Sequence, residues 1–392
     1  MDNLAKLQAR YGLGTTELKE AFKPLRGIKI NFITAGIFVS GVSQIVGYLS
    51  EYFNELGLIC KWENAEVSSE FAALSQKIAN SIFSPLEEVP KQDLERFLNL
   101  SAELSFDRKC DILYINDHPA ISAVLQKDDA KKVFRAHYDA SLINKNVWDF
   151  FAPVFKKFDG VIFASPIFHR PLNAKISYIT PTIDPLTIKN TFVEKDPSLE
   201  VLKKLGIPNN RPIVLQVSRF DRFKDLNGLI DAFEIVSKEI PSTLVIAGTK
   251  DTKDPQAKNI YAELKAKAKG KENIFVLALE RDDYIVASLQ SIADVVVQKS
   301  FSESFGMAVT EALWKAKAVV GSDTGGIPFQ IKDRKTGLLC TDAPSTAEAI
   351  LKLLKDKSLA LRLGKNGRQF VQENFLITTE LKKHLELFKK IL

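Results

Sequence analysis

Short, continuous apolar runs alternate with longer stretches of helical spacing along most of this chain. The order is clearest in the second half. Ile213–Val217 reads as a strand, Leu226–Lys238 as a helix, Thr243–Ala247 as a strand and Pro255–Lys269 as a polar helix. Ile274–Ala278, Val295–Gln298 and Ala318–Gly321 follow as strands, separated by helices over Asp282–Ser291 and Gly306–Lys315. Strands that are apolar throughout are covered on both faces, and strands interleaved with helices make a parallel sheet.

The first half repeats the style. Ile28–Ile33 is a strand running into Thr34-Ala35-Gly36, and Gly41–Glu55 is a helix with Val42, Ile45, Val46 and Leu49 on one side. Ile59–Trp62 is the next strand, followed by helices near Ser69–Ile82 and Lys91–Leu104. Strands recur at Ile112–Ile115, Lys132–Ala136 and Val161–Ala164. The fold class expected is therefore α/β, with two Rossmann-like domains in tandem. Two prolines in Thr180-Pro181-Thr182-Ile183-Asp184-Pro185 mark the boundary. Asp196–Asn210 leads into the second domain. The strongly helical Leu363–Leu392 is too long for one more crossover and is expected to return to the first domain.

Composition agrees. A chain of 392 residues suits two domains of roughly 150–200 each, and with 45% hydrophobic residues both can bury a core. Charged residues are 26% and no tract is of low complexity, which argues against disorder. The net charge of +6 fits a solvated mixed surface, or else a focus of positive charge at an anion site. No Lys/Arg cluster interleaves with aromatics, so nucleic acid is not an expected partner. Cys60, Cys110 and Cys340 lack zinc spacing and read as buried free thiols in a reducing cytosol. Met1–Lys23 has no apolar core, and no apolar run approaches the roughly 18 residues of a membrane span. A cytoplasmic location, with no membrane partner, is expected.

The candidate chemistry sits just past strands, where ligands bind in doubly wound sheets. Arg219 follows Ile213–Val217, and Lys224 comes five residues later in the same loop. An Arg fork and a Lys point charge suit one diphosphate, although two solvated loop cations are the plainer reading. Ser300–Phe305 follows another strand, and Gly306 opens a helix whose N–H groups suit an anion. Glu303 lies in that loop and Glu311 in the helix. Carboxylates near a phosphate make sense if each accepts hydrogen bonds from sugar hydroxyls; otherwise both are ordinary helix charges. Gly325-Gly326 lets backbone pass close to a ligand, or makes a plain turn. In the first half, Ser40-Gly41-Val42 is a weak phosphate or sugar loop. Asp117 and His137 lie past two strands whose ends are expected to face an interdomain cleft, though a lone strand-end His is more often structural. Together the segments read as a sugar-nucleotide site.

These residues resemble the retaining glycosyltransferases of the two-domain GT-B fold, family 4. The Glu303/Glu311 pair, Arg219 with Lys224, and Gly325-Gly326 match the family, most strongly over Val217–Leu339. Within it the chain looks most like the trehalose glycosyltransferring synthases, on Gln216–Asp225, Val297–Gly306, Val309–Lys317, Gly325–Lys332, Arg135–Asp139 and Pro181–Asn190. The resemblance implies an acceptor domain over 1–185, a nucleotide-sugar donor domain over 186–367, and a C-terminal helix near 368–392 crossing back to the first. It implies that Arg219 and Lys224 bind diphosphate, Glu311 the ribose and Glu303 the donor glucose. Gly325, Gly326, Phe305 and Gly306 would lie near donor and phosphate, and His137 would touch the transferred hexose. Asp117 and Arg135 would line the sugar pocket, with Gly41 under the acceptor or diphosphate. Ser40 departs from a loop that is usually glycine-rich.

The reaction implied moves glucose from ADP-, UDP- or GDP-glucose to glucose, giving trehalose with retention. The resemblance implies that the leaving phosphate takes the acceptor's proton on the same face, and no carboxylate pair is obviously placed as nucleophile and acid, unlike a retaining hydrolase. No cofactor is implied. Magnesium enters only as an optional activator without protein ligands, and a homodimer is compatible. Three readings stay open: a family 4 enzyme with another sugar acceptor, a retaining phosphorylase, and a non-catalytic sugar-nucleotide sensor.

Overall fold

The structure is a computed structural model that describes residues 1–35, 40–83, 88–249 and 255–392. The Gly36 end of the first expected strand and the side chain of Ser40 lie outside the described residues. The chain divides into two compact units, Met1–Thr182 with Ile377–Leu392, and Ile183–Leu376. Each unit is built on one six-stranded sheet, and every strand pairing among the described residues is parallel.

In the first unit the strands are β1 Lys29–Ala35, β2 Ile59–Ala65, β3 Ile112–Asn116, β4 Lys131–Arg135, β5 Gly160–Phe163 and β6 Ile176–Tyr178. Their order is β2-β1-β3-β4-β5-β6. The helices around them are α1 Asn3–Tyr11, α2 Thr15–Phe22, α3 Ser40–Glu55, α4 Ser69–Phe83, α5 Lys91–Ala102 and α6 Lys145–Phe155. Continuous apolar runs became the fully covered inner strands: all five residues of β3 are buried. Ile59–Trp62 departs from that rule. β2 is the edge strand, mostly open to solvent, and Trp62 is 40% exposed. A single neighbouring strand and one covering helix leave an edge strand half unburied.

The second unit carries β7 Ile213–Val217, β8 Thr243–Thr249, β9 Ile274–Leu279, β10 Val295–Gln298, β11 Ala318–Ser322 and β12 Leu338–Cys340. Their order is β12-β11-β10-β7-β8-β9. Its helices are α7 Lys195–Lys204, α8 Leu226–Glu239, α9 Pro255–Ala268, α10 Asp283–Ile292, α11 Met307–Trp314, α12 Ile327–Gln330, α13 Ala343–Lys355 and α14 Lys357–Asn374. Val214, Leu229, Phe233, Ile246 and Val297 are buried in its core. Each such side chain contributes roughly 1.5–3 kcal/mol by leaving water. Asp side chains start several helices by capping free N–H groups, as Asp282 does toward Tyr284 and Ile285 and Asp342 toward Ser345.

The C-terminal stretch is two helices. α14 ends at Asn374, and α15 spans Ile377–Ile391. The break is held by pairing: the Ile183 N–H donates to the Phe375 carbonyl at 2.9 Å. α15 belongs to the first unit. Leu381, His384 and Phe388 are buried there, and the His384 ring stands edge-on to Phe53 at 5.5 Å. Tyr114 Oη lies 2.9 Å from His384 Nε2. Burial, with the Arg135 charge nearby, lowers His384 to about 3, so it is neutral at ordinary pH.

Strand order fixes where a ligand can sit. In the first sheet the chain direction across the sheet reverses between β1 and β3; in the second it reverses between β7 and β10. Loops leaving the carboxyl ends of these pairs diverge and open a crevice.

Candidate functional site

Gln216, the penultimate residue of β7, is fully buried in an otherwise apolar strand. Its amide bridges the reversal point. Nε2 donates to the carbonyls of Lys224 at 3.3 Å and Lys299 at 3.2 Å, and Oε1 accepts from the Lys299 N–H at 2.9 Å. The loops after β7 and β10 are thereby tied together. Lys299 Nζ pairs with Asp225, both buried, beneath them. Asp225 sits at φ 38° and caps α8 through Gly228, so one residue turns the loop, starts the helix and neutralises Lys299.

On this base stand the expected residues. Lys224 Nζ lies 2.5 Å from Glu303 Oε2, which also accepts from Gln298 Nε2 at 3.2 Å. A cation from the β7 loop and a carboxylate from the β10 loop thus converge at the reversal point. Arg219 is in the same loop but open, 64% exposed, its guanidinium 2.8 Å from Asp221. Gly306 caps α11 at φ 85°, and among the described residues no side chain fills its N-terminal hydrogen-bonding positions. Phe305 is buried against Phe375 at 5.8 Å and supports the loop from behind.

The glycine pair makes a close approach, and the partner is the Glu303 loop. Gly325 has φ 51°, and a Cβ there would stand 1.8 Å from the Glu303 carbonyl oxygen. The Gly326 N–H donates to that same oxygen at 3.0 Å. Gly325→Ala combines positive φ with a backbone clash, a loss of roughly 3 kcal/mol or more. The expected outcome is a melting temperature several degrees lower. An unchanged melting temperature would refute this account of the pair.

Glu311 faces inward from α11 and is 1% exposed. Its Oε1 lies 2.7 Å from Lys189 Nζ, and its Oε2 accepts from Gln290 Nε2 at 3.3 Å. Lys315 Nζ donates to Gln290 Oε1 at 2.9 Å and to the Lys189 carbonyl at 2.7 Å. Burial lowers Lys315 to about 8; Glu311 opposes the shift and Lys189 adds to it.

In the first unit, Asp117 and His137 meet at the ends of β3 and β4. The His137 N–H donates to Asp117 Oδ1 at 2.7 Å, and His137 Nε2 lies 3.0 Å from Asn116 Oδ1. Asp117 is strained, at φ 61° and ψ 174°, in a region of backbone space that only glycine visits freely. Gly41 is the second residue of α3 and is exposed. Arg135 does not join them at the surface. It is 1% exposed, with Nη1 2.6 Å from Glu380 of α15, and Thr182 donates to the other Glu380 oxygen at 2.5 Å.

Burial pushes Asp117 up to about 7, with the His137 N–H and the Arg135 charge pulling the other way. The folded protein therefore holds a proton between about pH 4 and 7 that the unfolded chain releases. That stability is complete below about pH 4 and is lost as pH rises through about 7. Asp117→Asn removes the dependence. The melting temperature of the variant relative to wild type should climb from about pH 5 to about pH 8 in calorimetry. A difference that stays constant with pH would refute the burial of Asp117.

The structure thus joins Lys224, Glu303, Gly325 and Gly326 in one place, and Asp117 with His137 in another. Sequence reasoning missed Gln216, Gln298, Lys299, Lys189 and Gln290. A signal existed for three of them: polar residues at the carboxyl ends of apolar strands need a buried partner. Among the described residues no group of three or more His, Cys, Asp or Glu could hold a metal ion, and no helix is long and apolar enough to cross a membrane.

Comparison with known proteins adds the following. The family described as "Glycosyl transferases group 1" matches residues 198–370, and "Trehalose synthase, N-terminal domain" matches residues 32–170. The chain is 32% identical over 390 residues to a trehalose synthase of Rubrobacter xylanophilus, covering 96% of this chain and 94% of that protein. An α,α-trehalose 6-phosphate synthase from Burkholderia multivorans superposes with a TM-score of 0.74 at 14% identity, over 93% of this chain and 98% of that one. Anabaena Alr3699/HepE in complex with UDP and glucose superposes with a TM-score of 0.68 at 16% identity, over 92% and 99%.

Proposed function

This chain belongs to the trehalose synthase family of group 1 glycosyl transferases, and we propose from that premise that it moves glucose from a nucleoside diphosphate glucose to glucose, forming trehalose with retention. Its fold is GT-B, which supports a nucleotide-sugar donor in the second unit and acceptor-side groups in the first. The observation that carries the reading is the convergence of Lys224 and Glu303, 2.5 Å apart, at the reversal point between β7 and β10. A diphosphate placed there meets Lys224 and Arg219. A hexose attached to it meets Glu303. A buried carboxylate such as Glu311 suits the ribose diol.

As the glycosidic bond lengthens, positive charge grows on the sugar and negative charge on the leaving phosphate. Arg219, Lys224 and the open N-terminus of α11 stabilise that phosphate, which takes the acceptor's proton on the same face of the ring. His137 and Asp117 take sugar hydroxyls. Groups fixed before reaction contribute several kcal/mol because they need no reorganisation. The Gln216 bridge and the Lys299–Asp225 pair supply that fixity.

The test is incubation of purified protein with ADP-, UDP- or GDP-glucose plus glucose, with identification of the disaccharide. Trehalose from at least one donor is the expected result. Another disaccharide redirects the acceptor. Product formed only with glucose 1-phosphate favours a phosphorylase, and tight nucleotide binding without transfer favours a sensor.

A further inference from the structure

Both oxygens of the Glu311 carboxylate are already occupied. Lys189 Nζ is 2.7 Å from one and Gln290 Nε2 donates to the other at 3.3 Å. The Glu311 side chain is only 2% exposed, so a ribose diol has no path to it in this arrangement. Of the two groups on the carboxylate, Gln290 is fully buried, whereas the Lys189 side chain is 21% exposed. The backbone of Lys189 is anchored. It lies on a 3-10 turn, Ile188–Asn190, whose Asn190 Nδ2 donates to the Asp184 carbonyl at 2.9 Å, and the Lys189 carbonyl accepts from Lys315 at 2.7 Å. The side chain is a flexible four-carbon stem that can turn outward without moving this anchor.

We propose that Lys189 is a displaceable cover on Glu311, which swings aside to admit the ribose diol and thereby sets the affinity for nucleotide. This rests on the reading of Glu311 as the ribose acceptor. The exchange is chemically matched: one ammonium–carboxylate contact is given up, and two hydroxyl–carboxylate bonds replace it. Glu311 is not stranded when the ammonium leaves, because Gln290 stays and Lys315 lies against the same cluster. Burial lowers the affinity of Lys189 for its proton, but the adjacent Glu311 outweighs it and raises the group above its ordinary value. Burial holds Lys315 down to about 8, with Lys189 adding to the drop. Departure of Lys189 therefore strengthens the positive charge of Lys315 beside Glu311. A covered site binds with an affinity reduced by the fraction of time it is open, so removing the cover tightens binding.

Calorimetry on the full chain tests this with UDP and ADP, with their 2′,3′-dideoxy forms, and with inorganic pyrophosphate. Lys189→Ala and Lys189→Met should bind UDP or ADP roughly 3- to 10-fold more tightly. Lys189→Arg, which retains the charge, should stay close to wild type. Dideoxy nucleotides and pyrophosphate have no diol and should bind all four proteins alike. Unchanged or weaker UDP and ADP binding by Lys189→Met, whose apolar stem preserves packing, would overturn the cover. So would equal tightening toward pyrophosphate, which would mark a general charge effect. Glu311→Gln separates the two readings. If it weakens UDP binding while Lys189→Met changes nothing, the ribose site stands and the cover falls. If Glu311→Gln also binds UDP like wild type, the ribose reading itself fails.

Discussion

Replacing Arg219 or Lys224 by Ala lowers glucosyl turnover by about 10²-fold or more. On the proposed reading, each removes a positive charge from the place where the leaving diphosphate gains negative charge. A 10²-fold loss corresponds to about 2.7 kcal/mol of barrier, within reach of one charge-assisted contact. The two variants should differ in stability. Arg219 is open and its partner Asp221 is in its own loop, so Arg219→Ala should melt like wild type. Lys224 is 12% exposed and covers Glu303, so Lys224→Ala leaves a buried carboxylate with less compensation, a cost of roughly 1–3 kcal/mol. Steady-state rates with a glucosyl donor, read beside melting curves, measure both. Wild-type rates in both variants would remove the phosphate assignment.

The apolar strands and the two-sheet class were legible because a parallel strand covered on both faces shows as an unbroken apolar run. Ile213–Val217 and Val295–Gln298 have the boundaries the pattern gives them. Edges and short elements were not. β6 and β12 have three residues each, too few for any periodicity to register. The break at Phe375-Leu376 is also silent in sequence: its cause is a hydrogen bond to Ile183, almost two hundred residues away, and no glycine or proline marks it.

Within the candidate site, the charged residues of the loops were legible by type and position after strands. What they touch was not. Glu303 and Glu311 read alike as carboxylates, yet one is held by Lys224 from the β7 loop and the other by Lys189 from the turn that opens the second unit. Arg135 entered as a pocket residue through the family resemblance alone. Its guanidinium instead turns inward to Glu380 on α15, a partner that only the fold brings near. Gly325-Gly326 read as room for a ligand; the nearest atom to a Gly325 Cβ is the Glu303 carbonyl oxygen. Pattern reveals which residues are unusual for their element, while partners from distant segments decide what the residue does.

The two glutamates should separate cleanly. On the proposed reading, Glu311→Ala removes an acceptor for two hydroxyl bonds, each worth roughly 1.5–3 kcal/mol when charge-assisted. Affinity for a nucleoside diphosphate should fall at least about tenfold, whereas inorganic phosphate and free glucose, which have no ribose, should bind as before. The same change leaves Lys189 and Gln290 without their partner, so the protein should also melt earlier. Glu311→Gln keeps the volume and one acceptor and should lose affinity with less loss of stability. Glu303→Ala should act differently. Lys224 loses its counter-charge but remains for the diphosphate, so nucleotide binding should hold while turnover of the glucosyl donor drops. Calorimetry with UDP and ADP beside the disaccharide assay reads both effects. Equal nucleotide binding in wild type and Glu311→Gln would defeat the ribose assignment. Loss of nucleotide binding in Glu303→Ala as great as in Glu311→Ala would place both carboxylates on the nucleotide and none on the hexose.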